Sequence, residues 1–143
     1  YPVRLHIGDR KAVVLDLHGT DYFFHAFSYP DFRYLSSFGK RGDATQDMLS
    51  AENCRWNGAF LWTLDANKSE LTRFEFALSG DSLLRQEAVS LDRDILRALD
   101  FVMCEDSTFI IPDYSGDSRF CKVCRVGKLM YKFGAIPTVN EDA

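Results

Sequence analysis

A short apolar run closed by an aspartate occurs three times at a nearly constant period, and this constrains the chain more than any other feature. The runs are Val13-Val14-Leu15-Asp16, Trp62-Thr63-Leu64-Asp65 and Ile110-Ile111-Pro112-Asp113, with the aspartates 49 and 48 positions apart. A period of this size marks stacked supersecondary units, each too small to bury its apolar surface alone. The register continues past each aspartate. A polar stretch leads into a second extended segment, and Phe27, Phe76 and Cys124 stand eleven positions on. Units one and three also share an ending, Phe38-Gly39 against Phe133-Gly134, which unit two lacks.

Strand and turn chemistry places four strands on each unit. In the first they run roughly Val3 to Ile7, Lys11 to Asp16, Tyr22 to Ser28 and Arg33 to Phe38. The second has a weakly marked strand near Cys54 to Trp56, then Ala59 to Asp65, Glu70 to Leu78 and Leu83 to Val89. The third runs Ala98 to Cys104, Thr108 to Pro112, Arg119 to Arg125 and Lys128 to Phe133. Consecutive apolar residues such as Val13-Val14-Leu15 break strict alternation, which is expected where both faces of a sheet are covered. The expected fold is therefore all-β: three four-stranded antiparallel blades of a β-propeller, half of a six-bladed ring. Blade one covers about residues 1–42, blade two 52–91 and blade three 97–137. Helical spacing of Ile95, Leu96, Ala98 and Leu99 makes Leu91 to Phe101 a competing helical turn, and Ala44 to Glu52 is a second.

With 46% hydrophobic and 14% aromatic residues the chain has enough apolar material for an ordered domain. A formal net charge of −4 and scattered Lys and Arg argue against nucleic acid as a partner. No apolar run approaches the ~20 residues of a membrane-spanning helix, so no transmembrane segment is expected.

The candidates for chemistry are few. Asp16, Asp65 and Asp113 sit at equivalent repeat positions and can converge toward one end of a ring, although an aspartate before a turn ordinarily accepts backbone N–H groups. His18, between Asp16 and Asp21, is the only histidine with neighbouring carboxylates in sequence. Cys121-Lys122-Val123-Cys124 has no second ligand pair to complete a zinc site, and its register points to core cysteines. No Gly-x-Ser-x-Gly elbow and no phosphate-cradling glycine loop is present.

The segment Phe24-His25-Ala26-Phe27-Ser28-Tyr29-Pro30-Asp31-Phe32-Arg33-Tyr34-Leu35-Ser36-Ser37-Phe38-Gly39-Lys40-Arg41-Gly42 resembles the strand, turn, strand and Gly-x-x-Gly connector of TolB-like six-bladed β-propellers. Leu61 to Asn67 and Ile111 to Asp117 add to the resemblance, which covers nearly the whole chain. The connector departs from the pattern, reading Asp43-Ala44-Thr45-Gln46-Asp47-Met48 where such proteins carry Gly-Pro and an acidic residue. Six blades at this period need roughly 290 residues. The resemblance implies that the missing blades come from a longer chain or from a second copy. The first is favoured, since the sequence opens at a strand without an initiator Met and closes at no domain boundary. It also implies an exported protein, periplasmic or anchored to the outer membrane, that works without a cofactor as a non-enzymatic ligand- or protein-binding scaffold. An envelope protein or a carbohydrate is the partner implied, and a structural subunit of an envelope assembly is a further role. The alternative is a metal-dependent, lactonase-like hydrolase holding a divalent cation such as calcium, for which Asp16, Asp65, Asn67 and Asp113 are the available ligands.

Overall fold

The computed structural model describes residues 2–114 and 118–135. Tyr1, the Ser115-Gly116-Asp117 piece and the expected end of blade three near residue 137 lie outside them. Among the described residues, three separate antiparallel sheets each run as a four-stranded meander in chain order. Blade one holds β1 (Pro2–Gly8), β2 (Lys11–Asp16), β3 (Tyr22–Ser28) and β4 (Tyr34–Lys40). Blade two holds β5 (Ala51–Asn57), β6 (Phe60–Asp65), β7 (Glu70–Phe76) and β8 (Leu83–Ser90). Blade three holds β9 (Val102–Met103), β10 (Phe109–Pro112), β11 (Ser118–Val123) and β12 (Leu129–Ala135).

The blades stack face to face, and the alternation along β6 shows how. Leu61 packs into one core with Val13, Leu15, Phe24, Ala26 and Phe38 of blade one. Its neighbours Trp62 and Leu64 point the other way, into a second core with Phe109, Ile111, Cys121 and Val123 of blade three. Phe38 meets Phe74 across the first interface at 5.0 Å, and Trp62 meets Phe109 edge-on across the second at 5.2 Å. Blade two is thus covered on both sides, which is why β6 is an almost unbroken apolar run. Each large side chain buried this way contributes on the order of 2–3 kcal/mol relative to exposure.

The shared Phe-Gly ending has a physical reason. Phe38 stacks on Phe24 at 5.1 Å, and Phe133 on Phe120 at 5.3 Å. The following glycines, Gly39 and Gly134, adopt φ of 68° and 74°, and a Cβ at Gly39 would lie 2.7 Å from the Phe24 ring. Left-handed backbone and the close ring both favour glycine there.

Several expectations change, and the first strand of blade three, expected over Ala98 to Cys104, is only Val102–Met103 because Ala98 and Phe101 belong to the wedge between blades. The expected helical turn at Leu91 to Phe101 is an irregular connection. Leu91 N bonds Ser69 O, Asp92 N bonds Gly127 O, and Ile95, Ala98 and Phe101 fill the wedge between blades two and three. With Leu91 and Asp92 tied to the two blades and its apolar side chains buried between them, the segment gains more than a marginal free helix would. Ala44 to Glu52 likewise forms a turn, closed by Asp47 N on Ala44 O, leading into β5. The spans between paired positions across the turns also differ, with eight residues between Leu15 and Phe24, six between Leu64 and Leu71 and seven between Pro112 and Phe120. Strand pairing therefore aligns Phe24, Leu71 and Phe120, partners of Leu15, Leu64 and Pro112, in place of a fixed eleven-residue offset through Phe27, Phe76 and Cys124.

Candidate functional site

The repeat aspartates end strands β2 and β6 and follow β10. Asp65 is buried, and its carboxylate accepts four backbone N–H groups: Leu49 at 2.7 Å, Ser50 at 3.3 Å, Asn67 at 3.1 Å and Lys68 at 3.0 Å. The first two belong to the connector from blade one and the last two to the turn after β6. One side chain therefore ties blade to blade, and amide hydrogens fill most of the lone pairs a cation would need. Asn67 supplies its main chain to this joint while its side chain is exposed.

Asp16 occupies the same register, opposite Pro2 as Asp65 is opposite Ala51. Its Oδ1 accepts the His18 amide at 3.2 Å and its Oδ2 lies 3.7 Å from His25 Nε2. His25 Nδ1 in turn meets Ser37 Oγ at 2.7 Å, and Ser37 meets the Tyr34 hydroxyl at 2.8 Å. The His18 side chain is exposed. Asp113 is nearly buried and pairs with Lys132 Nζ at 3.5 Å. Among the described residues, no group of three or more His, Cys, Asp or Glu gathers closely enough to hold a metal ion.

The cysteines are free, with Cys54 and Cys121 buried. Burial pushes the Cys54 thiol up to about 12 and raises that of Cys121, so both stay protonated and unreactive at neutral pH.

A second group of polar residues lies on the first strands of the blades, where β1 runs against β5. Arg4 and Asn53 face Leu15 and Leu64, each one residue before its blade's aspartate, and His6 and Arg55 face Val13 and Trp62. These are matching positions of two consecutive blades. Asp100, just ahead of β9, joins them, accepting Asn53 Nδ2 at 2.7 Å, the Phe101 amide at 2.8 Å and Arg55 Nη2 at 3.0 and 3.2 Å. Burial lowers the His6 pKa; the Asn53 side chain opposes this, Arg55 and Arg4 reinforce it, and Asp100 opposes it weakly. This cluster escapes a reading of the sequence because β5 carries no hydrophobic signature. The available signal is positional: Arg4, Asn53 and Asp100 stand 12, 12 and 13 residues before Asp16, Asp65 and Asp113.

The two terminal blade faces are open. On blade one, Val14, Asp16, His25 and Phe27 line a recess of about 290 Å³. On blade three, Ile110, Pro112 and Phe120 line one of about 100 Å³ beside Phe101 and Val102. The whole sequence, residues 1–143, matches the family described as TolB-like 6-blade propeller-like. The chain belongs to this family. Among solved structures, this TolB-like chain is similar to a "putative exported protein" of Bacteroides fragilis NCTC 9343, at 9% identity and TM-score 0.68, over 93% of this chain and 37% of that one. It is also similar to a "putative 6-phosphogluconolactonase" of the same organism, at 12% identity and TM-score 0.62, over 94% and 40%. A third, bearing the same description from Bacteroides uniformis ATCC 8492, matches at 12% identity and TM-score 0.60, over 94% and 41%. No curated protein matches the sequence. The TolB-like chain thus spans about two fifths of the length of the structures it resembles.

Proposed function

We propose that this TolB-like chain is an arc of an exported, non-enzymatic propeller whose blades form a rigid scaffold for binding a small ligand or an envelope protein. The observation that carries this reading is Asp65. The residue most suggestive of chemistry in the sequence is committed to four backbone N–H groups and serves as a joint between blades. Further blades complete the ring, from a longer chain or a second copy. The Phe24–Phe38 stack is buried under blade two, whereas the same device on blade three, Phe120 with Phe133, is 37% and 36% exposed for want of a neighbour. Export to the periplasm or outer membrane belongs to this reading, supported by the family and by the description of one similar structure.

The competing reading is a metal-dependent hydrolase, favoured by the lactonase descriptions of two similar structures. Thermal-shift titration with calcium and zinc, run beside hydrolysis of sugar lactones, separates the two. A binding scaffold keeps its melting temperature and leaves lactones at their spontaneous rate. Calcium-dependent stabilisation accompanied by turnover would overturn the scaffold in favour of the enzyme.

A further inference from the structure

The inner-strand cluster has an unbalanced charge and unused donors. Arg4 and His6 stand two apart on β1, Asn53 and Arg55 two apart on β5, and the two strands lie side by side. Two residues apart on a strand means one shared face. The cluster holds two guanidiniums and one carboxylate, Asp100, which is committed to Arg55. Arg4 is exposed, while His6 Nε2 and Arg55 Nε are buried without a hydrogen-bond partner. Buried nitrogens of this kind are seldom left without an acceptor.

We propose that Arg4, His6, Arg55 and Asp100 form a binding site for a small hydroxylated oxyanion, a sugar acid or sugar phosphate. This rests on the scaffold reading above and names the chemistry of its ligand. A guanidinium offers paired N–H donors that match two oxygens of a carboxylate or phosphate, and Arg4 is the exposed one of the pair. Arg55, held by Asp100, adds the second positive charge. Asp100 Oδ1 already accepts Asn53, Arg55 and Phe101, but Oδ2 accepts only Arg55 and keeps a lone pair for a ligand hydroxyl. That carboxylate repels a bare anion and attracts a polyol, so the site takes a ligand carrying both groups. Asn53 is a positioning residue, fixed by Cys54 N on its Oδ1 at 2.9 Å and holding Asp100 through its Nδ2.

Calorimetric titration of the assembled protein, in the form purified from its source, with gluconate, glucose 6-phosphate, inorganic phosphate and glucose tests the site. Gluconate or glucose 6-phosphate binds, and which of the two binds tighter identifies carboxylate or phosphate as the preferred anion. Arg4→Gln weakens that binding by about tenfold or more with the unliganded melting temperature unchanged. Arg55→Lys weakens it too, independently reporting on the second guanidinium. The proposal is overturned if neither compound binds at about 10 mM, if Arg4→Gln leaves the affinity intact, or if glucose or phosphate alone binds as tightly. Those failures leave the scaffold reading standing, since that depends on the metal and lactone results.

Discussion

Asp65 shows how much one side chain can hold when it sits where two blades and a turn meet. Removing its carboxylate in Asp65→Ala leaves the Leu49 and Ser50 amides without their acceptor inside the interface. We expect a loss of about 2–4 kcal/mol, read as a lowered melting temperature. Asn67→Ala, which keeps the contributing main chain, should change stability by less than about 0.5 kcal/mol. The repeat makes Asp16, Asp65 and Asp113 visible in the sequence. It does not say what each carboxylate holds, because the connector amides on Asp65 come from residues 15 and 16 positions earlier. The partners also differ by blade: His18 N and His25 for Asp16, Lys132 for Asp113. Arg4, His6 and Arg55 stay hidden for another reason. Polar residues on an inner strand leave no periodic trace, and their proximity exists only once blades stack.

At the level of elements, β8 and the connection after it join blade two to blade three. Glu87 on β8 forms an ion pair with Arg73 Nε at 2.9 Å and accepts a hydrogen bond from Arg125 of blade three at 3.1 Å through Nη1, with Nη2 also in contact. Arg125 lies over the Trp62 ring at 4.9 Å, so the ion pair borders the core. The Arg125 hydrogen bonds hold the Glu87 carboxyl below its ordinary value of 4.5, with Arg73 assisting. Because the folded value is depressed, the stabilisation is present above pH 4.5 and is lost as pH falls through the folded value. Melting curves across pH should therefore show Glu87→Gln less stable than the parent at neutral pH, with the gap narrowing as pH falls below 4.5. A gap that stays constant through the acid limb would refute this role. The strands of blade one and the last three of blade two are legible because turn residues and aromatic runs bound them, whereas β5 is only weakly marked. The helical spacing at residues 91–101 misleads: Ile95, Ala98 and Phe101 recur every three positions because an irregular connection presents them to a wedge, as it bonds to Ser69 and Gly127 on either side.

For the molecule as a whole, stacking explains the distribution of apolar surface. Blade two has two neighbours and is buried on both faces, while blades one and three each have one. Leu5 on blade one, and Phe120 and Phe133 on blade three, stay exposed although their counterparts within the stack, Cys54, Leu71 and Phe38, are buried. On the proposed reading further blades cover such faces and edges, since each repeat in a radial array contributes one interface to the next. Native mass spectrometry of the protein purified from its source under non-denaturing conditions measures this directly. A six-bladed ring predicts a particle at least about twice the mass of residues 1–143, as one longer chain or as two copies. A stable, folded, monodisperse particle with the mass of residues 1–143 alone would contradict it.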